Sequence, residues 1–141
     1  MTVEAALTVE AVLAELLDRG YILSVETRVH VHDHKVGAHP ITYAERLQVA
    51  GKERVPDNLR EAIVADKPLF LAAACILDPP TPWLRELVRR CRTGDKLAGC
   101  RITPDVLAAN ISCFVGLSPI ADAHRLLPVV KAALGGRSGL G

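Results

Sequence analysis

Apolar residues recur at helical spacing from the start of the chain. Val9, Val12, Leu13, Leu16 and Leu17 fall on one face of a 3.6-residue repeat. Thr8 is suited to cap the first amides of that helix, and Gly20 tolerates the left-handed backbone that ends one. From Tyr21 to about Ala50 the pattern changes. Ile22 to Val25 and Val29 to His32 are rich in β-branched residues, and Val29 and Val31 alternate with His30 and His32. Gly37 to Pro40 reads as a break and Thr42 to Val49 as a returning strand. A small antiparallel hairpin is predicted, with a register that the pattern leaves open.

Proline then marks the helix starts. Val55-Pro56, Thr81-Pro82, Thr103-Pro104 and Ser118-Pro119 each place proline at a first helical position. There its missing amide hydrogen has no intrahelical partner and its φ is already helical. Pro68 is predicted to open a further short helix, Leu69 to Leu77, because inside a helix it would cost about 3 kcal/mol. The expected core stripes are Leu84, Leu87, Val88 and Cys91; then Leu107, Ile111 and Phe114; then Ile120, Ala123, Leu127, Val130 and Leu134. Pro128 is expected to kink the last helix.

The expected fold class is α+β, mainly helical: an N-terminal α–β-hairpin–α–α unit followed by a three-helix segment. The divisions are residues 1–77, a proline-rich linker at 78–82, a basic three-helix segment at 83–135 and a flexible tail at 136–141. Composition agrees. Half of the 141 residues are hydrophobic, but Tyr21, Tyr43, Phe70, Trp83 and Phe114 are the only aromatics. A core of Leu, Val, Ile and Ala favours helix packing over a sandwich or barrel. The net charge of +1 hides an asymmetry. Residues 1–80 hold twelve acids and eight bases (−4), whereas residues 81–141 hold four acids and nine bases (+5). No run approaches the roughly 18 apolar residues of a membrane span. Met1 to Leu7 include Glu4 and no basic cluster, unlike a secretory leader. A cytoplasmic location is therefore expected, with Cys75, Cys91, Cys100 and Cys113 as reduced thiols.

Two segments carry a resemblance. Val12, Leu13, Leu16 and Gly20 precede the hairpin, and Val55, Pro56, Leu59, Ile63, Lys67, Pro68 and Leu71 follow it. This pattern resembles the small TubC-type docking domains at the N-termini of some nonribosomal peptide and polyketide synthase subunits, and segments of some mobile-element and phage replication proteins. The likeness covers about 65 residues and consists mostly of core positions. It implies a helix, a hairpin and two short helices that bind a partner peptide, largely by strand addition along the hairpin. The chain departs from the pattern in the length of His32 to Arg54 and in carrying a helical second half where a synthase domain would follow.

Several clusters are candidates for chemistry. His30, His32 and His34 alternate along a strand, so their side chains would share one face roughly 6–7 Å apart. Such a face is either solvated or able to place two zinc ligands. No CxxC or HExxH pair supplies more ligands. Cys91 and Cys100 are separated by eight residues, yet Cys91 falls on an apolar stripe, where a thiol acts as a small hydrophobe. Arg85, Arg89 and Arg92 share a helical face opposite the Leu84/Leu87/Val88 stripe, with Arg90 beside them and Lys96 and Arg101 following. Those six bases suit either phosphates or an acidic protein surface. No Walker loop, GxGxxG fingerprint, nucleophile elbow or paired-carboxylate arrangement is present. No catalytic residue and no cofactor are expected.

The sequence therefore points to a non-catalytic adaptor that binds another protein or peptide along its hairpin, at Val29, His30, Val31 and His32. The alternative is a nucleic-acid-binding accessory protein of a phage or mobile element, using Arg85, Arg89, Arg90, Arg92, Lys96 and Arg101. Self-association of the acidic half with the basic half of another copy is a third arrangement.

Overall fold

A computed structural model describes residues 8–34 and 37–138, with the backbone alone for 30–34, 37–41 and 136–138. The described residues form α1 (Val9–Asp18), β1 (Ile22–His34), β2 (Gly37–Ala50), α2 (Asp57–Ala65), α3 (Lys67–Leu77), α4 (Pro82–Thr93), β3 (Lys96–Leu97), β4 (Cys100–Arg101), α5 (Pro104–Phe114) and α6 (Ala123–Ser138). The protein is α+β and mainly helical.

Helix termini follow the chemistry of their caps. Thr8 Oγ1 accepts a hydrogen bond from the Ala11 amide at 3.1 Å. At the other end of α1, Gly20 adopts φ +85° and its amide donates to Leu17, while the Tyr21 amide donates to Leu16. That pair of bonds is a Schellman motif, which leaves the chain fixed as it enters β1. Thr81 and Thr103 cap α4 and α5 through the Leu84 and Val106 amides, with proline at the first helical position. Pro56 and Pro68 depart from the expected first position. Pro56, with φ −56° and ψ 147°, is the extended cap before Asp57. α3 already begins at Lys67, so Pro68 is its second residue, where the amide still needs no intrahelical partner.

Ser118-Pro119 behaves differently. The Ser118 hydroxyl accepts from the Ile120 and Ala121 amides, and the Asp122 carboxylate accepts from the Ser118 amide. These reciprocal bonds hold a separate turn, and α6 begins only at Ala123. The expected stripe on this helix is corrected accordingly. Ile120 is 88% exposed and Ala123 is exposed, whereas Leu126, Val129, Val130 and Ala133 are buried, with Leu127 and Leu134 on the flank. One residue of offset turns a helix by about 100°, so the inward face depends on where α3 and α5 lie. The helix continues through Pro128.

The hairpin is longer than expected. β1 and β2 pair antiparallel from Ile22↔Ala50 to His34↔Gly37, with a register shift between Glu26 and Thr27. The expected break at Gly37 to Pro40 is part of β2, and Pro40 stands opposite Val31. A two-stranded sheet is all edge, which is where proline is tolerated in a ladder. Leu23 and Ala44 are buried and Val25, Leu47 and Val49 half-buried against the core, while α3 packs on both strands. Farther along, Val29 is 56% exposed.

At the centre lies α3, buried from Leu69 to Ile76 without interruption. It packs on the hairpin, α1, α2, α4, α5 and α6. Its small Ala72-Ala73-Ala74 run lets neighbouring elements approach closely. Residues from both sides of the 78–82 segment enter one hydrophobic cluster. An ion pair between Arg125 and Asp66 at 2.8 Å ties the start of α6 to the α2–α3 junction.

Candidate functional site

Two surfaces gather side chains that packing leaves unused. The first is a groove of about 620 Å³ between β2 and α2. Its construction begins at Tyr21, whose buried ring lies against Gly51 and whose hydroxyl donates to the Arg54 carbonyl at 3.0 Å. A β-carbon on Gly51 would stand 2.4 Å from the Tyr21 Cδ1 atom. These contacts tie residues 51–54 to Tyr21 as the chain leaves β2. α2 then packs on α1 and α3, and the space between it and β2 stays open.

Leu47, Val49, Val55, Ile63 and Val64 supply the apolar lining of the groove. Val64 is 72% exposed, and the other four are half-buried. Arg54, Arg60 and Lys67 stand around it with Glu53. Among the described residues these three bases have no ion pair, whereas Arg19 and Arg28 pair with Glu15 and Glu45. No residue of β1 lines the groove. Among the described residues β1 is the one strand paired with β2, so the other edge of β2 carries no paired strand, and such an edge can accept another chain.

The second surface is the outer side of α4 with the β3–β4 hairpin. Its expected bases fall into two sets. Glu86 binds Arg89 at 2.7 Å and Arg90 at 2.5 Å, and Asp95 binds Arg89 at 3.4 Å. Hydrogen bonds from Arg89 and then Arg90 hold the Glu86 carboxyl at about 2, well below the usual carboxylate range. Arg89 is in turn pushed up by Glu86. Arg90 also donates to the Lys96 carbonyl, which fastens β3 to α4. Arg85, Arg92, Lys96 and Arg101 form the other set. All four are exposed, with no ion pair among the described residues. Arg85, Arg89 and Arg92 line one shallow groove of about 300 Å³ over Ile76 and Val88.

The β3–β4 hairpin was not legible as such in the sequence. Its turn, Ala98-Gly99, has φ +52° and +80°, the arrangement of a type I′ turn that ordinarily takes Asn-Gly or Gly-Gly. It sets Lys96 directly opposite Arg101.

The hairpin residues expected to bind a partner lie farther out than the first groove. Val29 is exposed and pairs with Thr42, and His30, Val31 and His32 continue β1. The side chains of His30, Val31, His32 and His34 lie outside the described residues, and so does the zinc reading that rests on those histidines. Among the described residues no group of three His, Cys, Asp or Glu side chains converges. Cys75 is buried in α3, which pushes its thiol up to about 12, and burial also raises Cys91. Cys100 and Cys113 are exposed.

Sequence reasoning missed Leu47, Val49, Arg54 and Arg60 as site residues. Val55, Ile63 and Lys67 stood in the docking-domain pattern as framework positions, and the structure places all three on the groove instead. No family model, curated protein or solved structure matches the chain. No helix among the described residues is long and apolar enough to cross a membrane.

Proposed function

We propose that the protein is a non-catalytic docking module that captures an extended peptide of a partner protein along the free edge of β2. The observation that carries this reading is the β2–α2 groove: an apolar lining on β2, a strand with one edge unpaired among the described residues, rimmed by Glu53 and by three bases without an ion pair among those residues. An added strand gains affinity from main-chain hydrogen bonds and specificity from alternate side chains seated in pockets. Here Leu47, Val49 and Ile63 receive the apolar side chains, and Arg54, Arg60 and Lys67 favour carboxylates beside them. The docking-domain resemblance supports the same mode of binding, with the seat at the base of the hairpin instead of its outer strands.

The test is to pan a random peptide library on the full chain and map the enriched peptides by amide chemical shifts. The expected peptides combine apolar and acidic residues, shift residues 47–55 and 60–67, and lose at least tenfold in affinity against Val64→Glu, an exposed position that leaves the core intact. Failure to enrich any peptide, or shifts confined to other surfaces, overturns the reading.

A further inference from the structure

We propose that the outer face of α4 and the β3–β4 hairpin form a second binding surface, for the phosphodiester backbone of duplex nucleic acid. The argument starts from the charges that are already spent. Glu86 and Asp95 satisfy Arg89 and Arg90, and the Arg90 bond to the Lys96 carbonyl mounts the small hairpin on the helix. Arg85, Arg92, Lys96 and Arg101 remain exposed and unpaired among the described residues.

Their placement is electrostatically unfavourable on its own. Lys96 and Arg101 are direct cross-strand partners, and like charges so placed destabilise a ladder. The turn that brings them together also holds Ala98 at positive φ, a backbone state that costs a residue with a β-carbon about 1–2 kcal/mol. An anion bridging the two cations converts that repulsion into attraction. Arg85 and Arg92 add two more exposed bases on α4, seven residues and so about 10.5 Å apart along its axis at 1.5 Å per residue.

The identity of the anion follows from what the face lacks. The shallow groove that Arg85 and Arg92 line is floored by Ile76 and Val88, which are buried, and by Leu77 and Pro79, which are half-buried, so no exposed apolar side chain stands between the two arginines. A protein partner would want one, with charge at the rim. Nucleic-acid interfaces are instead polar and strongly positive. Guanidinium forks match phosphate oxygens in pairs.

Four phosphate contacts give a slope of log affinity against log salt of about −3.6, so binding falls roughly a hundredfold between 50 and 200 mM salt. The test is fluorescence anisotropy of a labelled 20-base-pair duplex with the full chain over that range. The Arg85→Ala/Arg92→Ala/Lys96→Ala/Arg101→Ala variant should lose binding while keeping the wild-type circular dichroism spectrum. The Arg46→Ala/Lys52→Ala/Lys131→Ala variant removes exposed bases elsewhere and should retain it. No binding at 50 mM salt, or equal losses in both variants, overturns the proposal. So does a poly-glutamate peptide that binds the same face as tightly as the duplex, since that outcome assigns the face to an acidic protein. None of these readouts depends on the peptide groove.

Discussion

Replacing Gly51 with alanine tests the contact on which the β2–α2 groove is built. The backbone of Gly51 is not left-handed, so alanine meets no φ penalty there. The perturbation is steric. Its methyl group would lie 2.4 Å from Cδ1 and 2.6 Å from Cε1 of Tyr21. That ring is buried and cannot swing aside without breaking its hydroxyl bond to the Arg54 carbonyl. Overpacking of this kind costs about 1–3 kcal/mol. Displacing the ring also gives up the hydroxyl bond, worth about 0.5–1.5 kcal/mol and at the low end here because the carbonyl of exposed Arg54 can turn to water. Against this, alanine restricts the unfolded chain and returns about 0.4–1 kcal/mol. The net expectation is a loss of about 0.5–3 kcal/mol, or a fall in Tm of roughly 2–10 °C for a chain of this size. Urea unfolding followed by circular dichroism measures it. A cycle with Tyr21→Phe sharpens the test: alone, that change costs about 0.5 kcal/mol or more, and in the Gly51→Ala background it should cost almost nothing, since the bond is already broken. Wild-type stability for Gly51→Ala, or strict additivity of the two changes, refutes the locked Tyr21–Gly51–Arg54 corner.

Other expectations follow from local geometry. Ala98→Asn should stabilise the protein by about 0.5–1 kcal/mol in the same urea assay, because asparagine tolerates the left-handed turn that alanine resists. The Glu86 carboxyl should titrate by NMR at about 2. A depressed carboxylate contributes stability above its ordinary value of 4.5 and loses it as pH falls towards 2; Arg89→Ala/Arg90→Ala should bring the titration back towards 4.5. In the native protein, alkylation with mass-spectrometric readout should label Cys100 and Cys113 first, and Cys75 only on unfolding, since the thiolate is the reactive form and burial suppresses it. A chain ending after Pro80 should show no cooperative unfolding transition, because α3 would lose the cover of α6.

The helices were legible because their signals are local. Thr8, Thr81 and Thr103 cap with their own hydroxyls, prolines fit first turns, and the Leu84/Leu87/Val88 stripe faces inward as its spacing says. The same logic identified the arginine row on α4, since residues at i, i+4 and i+7 must share a face. Local signals stop short of pairing. Neither the length of the hairpin nor the shift at Glu26/Thr27 is encoded in alternation, which survives any two-residue slip. The neutralisation of Arg89 and Arg90 depends on rotamers of Glu86 and on where the 96–101 hairpin lands. The inward face of α6 depends on α3 and α5 beside it. The β2–α2 groove is furthest from the sequence. Its apolar residues have the spacing of ordinary core positions, and they line a surface only because Tyr21 ties down the chain after β2 while α2 is held by α1 and α3. Residue types determined where elements begin and which side chains are available for binding. Long-range packing decided which of them were left uncovered.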